Sequence, residues 1–251
     1  MLAFLIPADV RRSFKLPPWL SGEWCPPSQT WDGRMDHRPS VGRDTRVAYD
    51  PPVQEVATGL WHWQAPHPEW DDSVWPQLVS SYAIDDGERL LLFDPIAPPD
   101  ELVTGAEGLV VVLTSPWHER DTRALVEKHN PPVFVTDPGE GSPDVEWLLS
   151  GEVGEPHLYS VDGGLPVGVE AAFPGREPND VVLWVPSRRA VVAGDTLVDF
   201  GDGLQIHEPW LSTTREQVVE QLRPLLDLPI EHVLATHGGP HDAAALQRVL
   251  A

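Results

Sequence analysis

Asp195 is the residue around which chemistry can be built. It follows Gly194 at the end of a short apolar run, residues 190–193, inside the stretch 180–197 (DVVLWVPSRRAVVAGDTL). Glycine lets the backbone leave a strand, and a carboxylate at a strand end is free to bind a cation, orient a water or move a proton. Strand ends are where α/β proteins build their sites. The plainer role for such a residue is to cap the next turn. A second group is aromatic: Trp61, His62, Trp63, His67, Trp70 and Trp75 fall within residues 55–76. Clustered tryptophans can wall a ligand cleft or staple a sheet edge, so Trp61, Trp63 and Trp70 are candidate substrate-binding residues. His207, in GDGLQIHEPW, follows Asp195 closely enough to reach the same cleft. His129, His157, His232 and His241 read as structural or exposed. Gly163-Gly164 and Gly238-Gly239 lack the partners of a phosphate loop, a dinucleotide fingerprint or a nucleophile elbow.

The elements that must hold these residues are mostly strands. Residues 55–63, 78–84, 89–93, 109–113, 132–135, 157–161, 167–173, 181–185, 190–193 and 232–235 are rich in β-branched and aromatic residues and bounded by turn signals, among them Asp85-Asp86-Gly87. Residues 119–128, 214–226 and 242–250 read as helices, the second capped by Thr214 and kinked at Pro224. Strands dominate the first half and strand–helix alternation appears twice, which suits two packed sheets with helices outside. Residues 1–52 differ: most of this stretch is dense in Pro, Arg, Ser and Gly, without period, and reads as an irregular extension to a domain at 53–251. Net charge is −22, from 17 basic and 39 acidic residues among 251, so nucleic acid and anionic membranes are not expected as partners. The single cysteine, Cys25, allows no intrachain disulfide and no cysteine zinc cluster. The opening apolar run, residues 2–6, lacks the basic start and length of a signal peptide, and the expectation is a soluble, cytoplasmic protein.

Several motifs in order carry a family resemblance. Residues 93–95 read FDP, 110–121 VVVLTSPWHERD, 173–180 FPGREPND, 185–197 VPSRRAVVAGDTL and 235–240 ATHGGP. In this order they resemble the metallo-β-lactamase superfamily, and most of all its glyoxalase II-like hydrolases. The resemblance implies an α+β fold, a four-layer αββα sandwich with the site along one edge of the two sheets. It also implies ligands for two metal ions, supplied in the family by T-H-x-H-x-D-H. Aligned without a gap, Thr114 matches the threonine, the histidine positions hold Ser115, Trp117 and Arg120, and the aspartate position holds Glu119. The family's next histidine falls on Arg176. The catalytic candidates retained are Asp195 and His237.

Arginine stays protonated and donates in a fork, so it repels a metal and suits a carboxylate. Arg120, Arg176 or both are therefore expected to pair with Glu119 and Asp195, and no cofactor is expected. A shift of one residue gives the alternative. His118 and Asp121 would then join Asp195 and His237 around one zinc, iron or manganese ion. The functional expectation is a divergent or non-catalytic member binding a small-molecule ligand or a partner in the old cleft. The alternatives are an active metal-dependent hydrolase of an ester or thioester and a structural, oligomer-forming domain.

Overall fold

The computed structural model describes residues 51–68, 70, 75–138 and 156–251, so the expected extension at 1–52 lies almost wholly outside the described residues. In chain order the strands of the first sheet are β1 (Gln54–Ala57), β2 (Leu60–Pro66), β3 (Leu78–Asp85), β4 (Leu90–Phe93), β5 (Leu109–Leu113), β6 (Val133–Thr136) and β7 (His157–Tyr159). Helices α1 (Asp100–Thr104) and α2 (Thr122–His129) connect β4 to β5 and β5 to β6. The second sheet comprises β8 (Ala171–Pro174), β9 (Val181–Val185), β10 (Ala190–Val192), β11 (His232–Leu234) and β12 (Pro240–Asp242). Helix α3 (Arg215–Leu222) lies between β10 and β11 in the chain, and α4 (Ala243–Leu250) follows β12. The first sheet runs in order from β1 to β7, antiparallel as far as β4 and parallel beyond it. The second has the order β12-β11-β10-β9-β8, with only β10 and β11 parallel.

Side-chain alternation decides the layering. Val181, Leu183 and Val185 of β9 meet Val110 and Val112 of β5 and Tyr82 and Ile84 of β3 in a core between the sheets. Val182 and Trp184 point the other way, onto Val218, Val219 and Leu222 of α3 and Leu246 and Val249 of α4. In β5, Val111 and Leu113 likewise face Leu125 and Val126 of α2 and Val103 of α1. Each strand thus feeds two cores, as period-two side chains must when both sheet faces are covered. Three cores separate four layers, and the αββα sandwich follows.

Local differences from the expected elements have identifiable causes. The single strand expected at 55–63 is a hairpin, β1–β2, turned at Gly59, whose φ of 73° favours glycine. Strand β8 begins at Ala171 rather than 167, after a bend at Gly168 with φ 80°. The helix expected at 119 starts at Thr122, preceded by a 3-10 turn at Pro116–His118. Helix α3 stops at Leu222 and tightens into a 3-10 turn, Arg223–Asp227, because Pro224 has no N–H to continue the ladder. Helix α1 and strand β12 were not expected; five and three residues long, they are too short for a periodic signal. Among the described residues no helix is long and apolar enough to cross a membrane.

Candidate functional site: a buried carboxylate cluster

Four strands end on one edge of the sandwich, and a residue one to three positions beyond each supplies the site. Asp94 follows β4, Thr114 follows β5, Asp195 lies beyond β10 and His237 beyond β11. Backbone bonds lock the two sheets together there: Ser80 N–H donates to Thr236 O at 2.7 Å and Val181 N–H to Thr114 O at 3.0 Å. Asp94 sits at φ 47°, a left-handed conformation that is strained for a residue with a side chain. It is held by Thr114, whose N–H donates to Oδ1 at 2.8 Å and whose hydroxyl donates to Oδ2 at 2.6 Å.

The 3-10 turn at Pro116–His118 sends two consecutive side chains inward. The Trp117 indole N–H donates to Asp195 Oδ2 at 3.0 Å. His118, only 4% exposed, lies between two carboxylates, with Nδ1 3.2 Å from Asp94 Oδ2 and Nε2 3.3 Å from Asp195 Oδ1. Arg176, from the β8–β9 loop, closes the other side. Its Nη2 donates to Asp195 Oδ2 at 3.3 Å, its Nη1 to Trp210 O at 2.8 Å, and its Nε lies 3.3 Å from Asp180 Oδ2. The guanidinium carbon stands 5.1 Å from the Trp117 ring centre and 5.5 Å from that of Trp210, a cation between two indole faces. Thr196 completes the arrangement: its hydroxyl donates to Asp180 Oδ2 at 2.9 Å and accepts the Arg176 N–H at 2.9 Å. Gly194 must be glycine. Its φ is 52°, and a Cβ there would stand 2.7 Å from Asp180 Oδ1 and 2.9 Å from Thr114 Oγ1.

Charge follows from these distances. Burial works against a charged His118, but Asp195 and then Asp94 outweigh it and raise its pKa to about 9, so it is an imidazolium at neutral pH. Burial opposes ionisation of Asp195 as well, yet His118, His237 and Arg176 hold its carboxyl well below the usual range. Burial and the Asp195 charge together push the neighbouring Asp180 well up. His237, 5% exposed, is lowered to about 4, chiefly by burial, so it is neutral. Its Nε2 lies 3.5 Å from Asp195 Oδ1.

Asp195, His237, His118 and Arg176 thus come together. Arg120 flanks the cluster: its Nη1 donates to Ser80 O at 3.0 Å and Asp94 O at 2.7 Å. Glu119 is half-buried at the end of the 3-10 turn. Asp121 Oδ2 accepts the Ala97 N–H at 2.7 Å. Trp63 is a core residue on the helix side of the first sheet, its indole donating to Ile96 O at 2.7 Å, and Trp61 packs against the same core. Trp70 donates to Trp75 O at 2.9 Å. His207 belongs to a ring cluster, its centre 4.8 Å from that of Trp210 and 5.0 Å from that of Phe200. Sequence reasoning did not single out Asp94, Asp180, Phe200 or Trp210 as site residues. Asp94 and Asp180 carried a usable signal, since each adjoins a strand end as Asp195 does.

No family model matches this chain, and no curated protein does. Solved structures do. The metallo-β-lactamase from Erythrobacter litoralis, solved with β-mercaptoethanol in its active site, is 13% identical with a TM-score of 0.54, over 80% of this chain and 95% of that one. The DIM-1 metallo-β-lactamase is 17% identical with a TM-score of 0.53 over the same shares. The metallo-β-lactamase from Pontibacter korlensis is 16% identical with a TM-score of 0.53, over 80% and 97%. The fold is therefore that of the metallo-β-lactamases.

The donor set does not fit a pair of metal ions. Zinc needs lone pairs from three or more neutral imidazoles, thiolates or carboxylates. Here Asp195 Oδ2 already accepts an indole N–H and a guanidinium N–H, and two fixed cations, Arg120 and Arg176, flank the carboxylates. Among the described residues no group of three or more His, Cys, Asp or Glu side chains is arranged to hold an ion.

Proposed function

We propose that this protein is a divergent relative of the glyoxalase II-like hydrolases in which protein cations have taken over the work of the metal ions, and that it binds a small-molecule ligand in the old cleft without metal-dependent hydrolysis. One observation carries the reading. The carboxylate that bridges two ions in the family, Asp195, spends Oδ2 on Trp117 and Arg176 and lies beside His118 with Oδ1. Both replacements stand at positions where the family's motif has a histidine, so the same loss that removes ligands also supplies donors. A guanidinium and an imidazolium neutralise buried carboxylates that otherwise call for an ion. The composition fits a cytoplasmic protein without nucleic-acid or membrane partners.

Metal analysis of protein purified without chelator tests this together with thermal melting. The expected result is less than about one ion in ten chains and a Tm unchanged by excess chelator. About one ion per chain, with a fall of many degrees on chelation, overturns it.

A second reading, a single-ion hydrolase of an ester or thioester, has one observation in its favour. The Nε2 atoms of His118 and His237 converge on Asp195 Oδ1, at 3.3 and 3.5 Å. Tight zinc binding by the wild type, abolished in His118→Ala, would transfer the site to that reading.

A further inference from the structure

The carboxylate cluster is shut. Asp195 and His237 are each 5% exposed and His118 is 4% exposed, so a ligand reaches them only after something moves. Part of the cover is Trp210, whose ring centre stands 5.4 Å from that of His237. It belongs to residues 207–212, a stretch between two fixed points. Ile206 is buried in the core between the second sheet and its helices, and Thr214 caps α3. Between them the chain forms its own 3-10 turn, Glu208–Trp210, with an extended residue on either side: His207 at φ −85° and ψ 94°, Leu211 at φ −79° and ψ 132°. A few such torsions at the ends of a short element are enough to let it swing. Glu208, Pro209 and Ser212 are exposed, and Leu211 packs on the core only in part.

Arg176 grips this stretch from the side of the cluster. Its Nη1 donates to Trp210 O at 2.8 Å, and its carbonyl accepts the Ser212 hydroxyl at 2.7 Å and the Ser212 N–H at 3.3 Å. Its guanidinium carbon stands 5.5 Å from the Trp210 ring centre. The remainder of Arg176 is fixed, its N–H on Thr196 Oγ1 and its Nε and Nη2 against Asp180 and Asp195. One residue therefore joins the cluster to its cover. The closed position also carries a cost. His207 Nε2 is shielded from solvent and has no hydrogen-bond partner among the described residues, and lifting the turn would hydrate it.

We infer that residues 207–212 are a gate over the cluster, with Trp210 as its stopper and Arg176 as its latch. This rests on the reading that the cleft takes a ligand, and supplies the step that admits it. The gate is held by a few hydrogen bonds of modest net strength and is relieved of an unpaired nitrogen when it lifts, so it opens locally while both sheets stay folded.

Modification of the histidines of the full chain by diethyl pyrocarbonate, followed residue by residue by mass spectrometry, tests it. His237 becomes accessible when the gate lifts. His62, 8% exposed and stacked on Tyr82, reports loosening elsewhere. Ser212→Ala removes one bond of the latch at an exposed position and leaves Trp210 in place. It should speed the reaction of His237 at least about threefold, the change expected from one hydrogen bond, with His62 unaltered. Arg176→Gln should speed it further relative to His62. An unchanged His237 rate in Ser212→Ala, or an equal rise at His62, would overturn the inference. Metal analysis of the same preparation separates the causes. An unchanged rate in metal-free protein removes the gate alone, whereas a stoichiometric ion removes the metal-free reading with it.

Discussion

Arg176 makes contacts that a lysine cannot reproduce. Its Nε, Nη1 and Nη2 face Asp180, Trp210 O and Asp195 in three directions, and its plane lies between two indoles. An ammonium is one point of charge on a flexible stem and reaches one of these at a time. Arg176→Ala leaves the buried Asp195 carboxylate short of a counter-charge and Asp180 without a donor, and should lower the unfolding free energy by on the order of 3 kcal/mol. Arg176→Lys should recover little of that loss. Urea denaturation of both variants checks it, and wild-type stability in Arg176→Lys would show that the fork is unimportant. At this scale the sequence made legible which segments converge, because the motif order puts the residues beyond β4, β5, β10 and β11 on one edge. It did not show that Trp117 and His118 both turn inward. That depends on the 3-10 turn after Ser115, where Pro116 sets the backbone, and an ungapped alignment lets only one of two neighbours face the site. Asp180 adjoins the start of β9, but its pairing with Arg176 of the same β8–β9 loop and with Thr196 beyond β10 was not legible in the sequence.

Strands and helices were far more readable than contacts. Strand β5 and strand β9 occupy the residues their apolar runs indicate, since a strand buried on both faces has nothing polar to blur its ends. Helix α3 was legible from its cap. Thr214 accepts the Gln217 N–H while the Gln217 side chain accepts the Thr214 N–H, a reciprocal capping box that fixes where the helix begins. Thr214→Ala should lower stability by about 1 kcal/mol, a Tm shift of about 2–4 °C for a chain of this size. The loss should appear in thermal melts without any change in ligand binding, because α3 packs on the second sheet through Val218, Val219 and Leu222 and its start is exposed. An unchanged Tm would mean that packing alone sets the helix. What the sequence could not show is where an element gives way to a turn. The β1–β2 hairpin turns within an unbroken strand-like run, and only the backbone of Gly59 reveals it.

At the scale of the whole molecule, the buried histidines together contribute most to stability near pH 6.5, because they pull in opposite directions. His118 has a folded pKa of about 9, above the ordinary 6.5, so its contribution is complete below 6.5 and is lost as pH rises through 9. His62 and His237, lowered to about 4, must stay neutral, and their contribution is complete above 6.5 and lost as pH falls towards 4. The alkaline loss from His118 alone is on the order of 3 kcal/mol. Calorimetric melting between pH 5 and pH 9.5 reads both limbs, and a Tm that is flat from 6.5 to 9 would exclude a buried imidazolium. The same edge of the sandwich has a consequence for biosynthesis. Arg176 and Asp195 are only 19 residues apart, but Tyr82 Oη donates to Ala235 O across 153 residues, Ser80 Oγ to Gly238 O across 158 and Gln64 Nε2 to Gly238 O across 174. A chain leaves the ribosome from its N-terminus, so guanidinium and carboxylate emerge together while the polar side chains of β2 and β3 still wait for their acceptors. A nascent chain stalled before His232 therefore has that guanidinium and carboxylate both present, while one rim of its first sheet still lacks its acceptors.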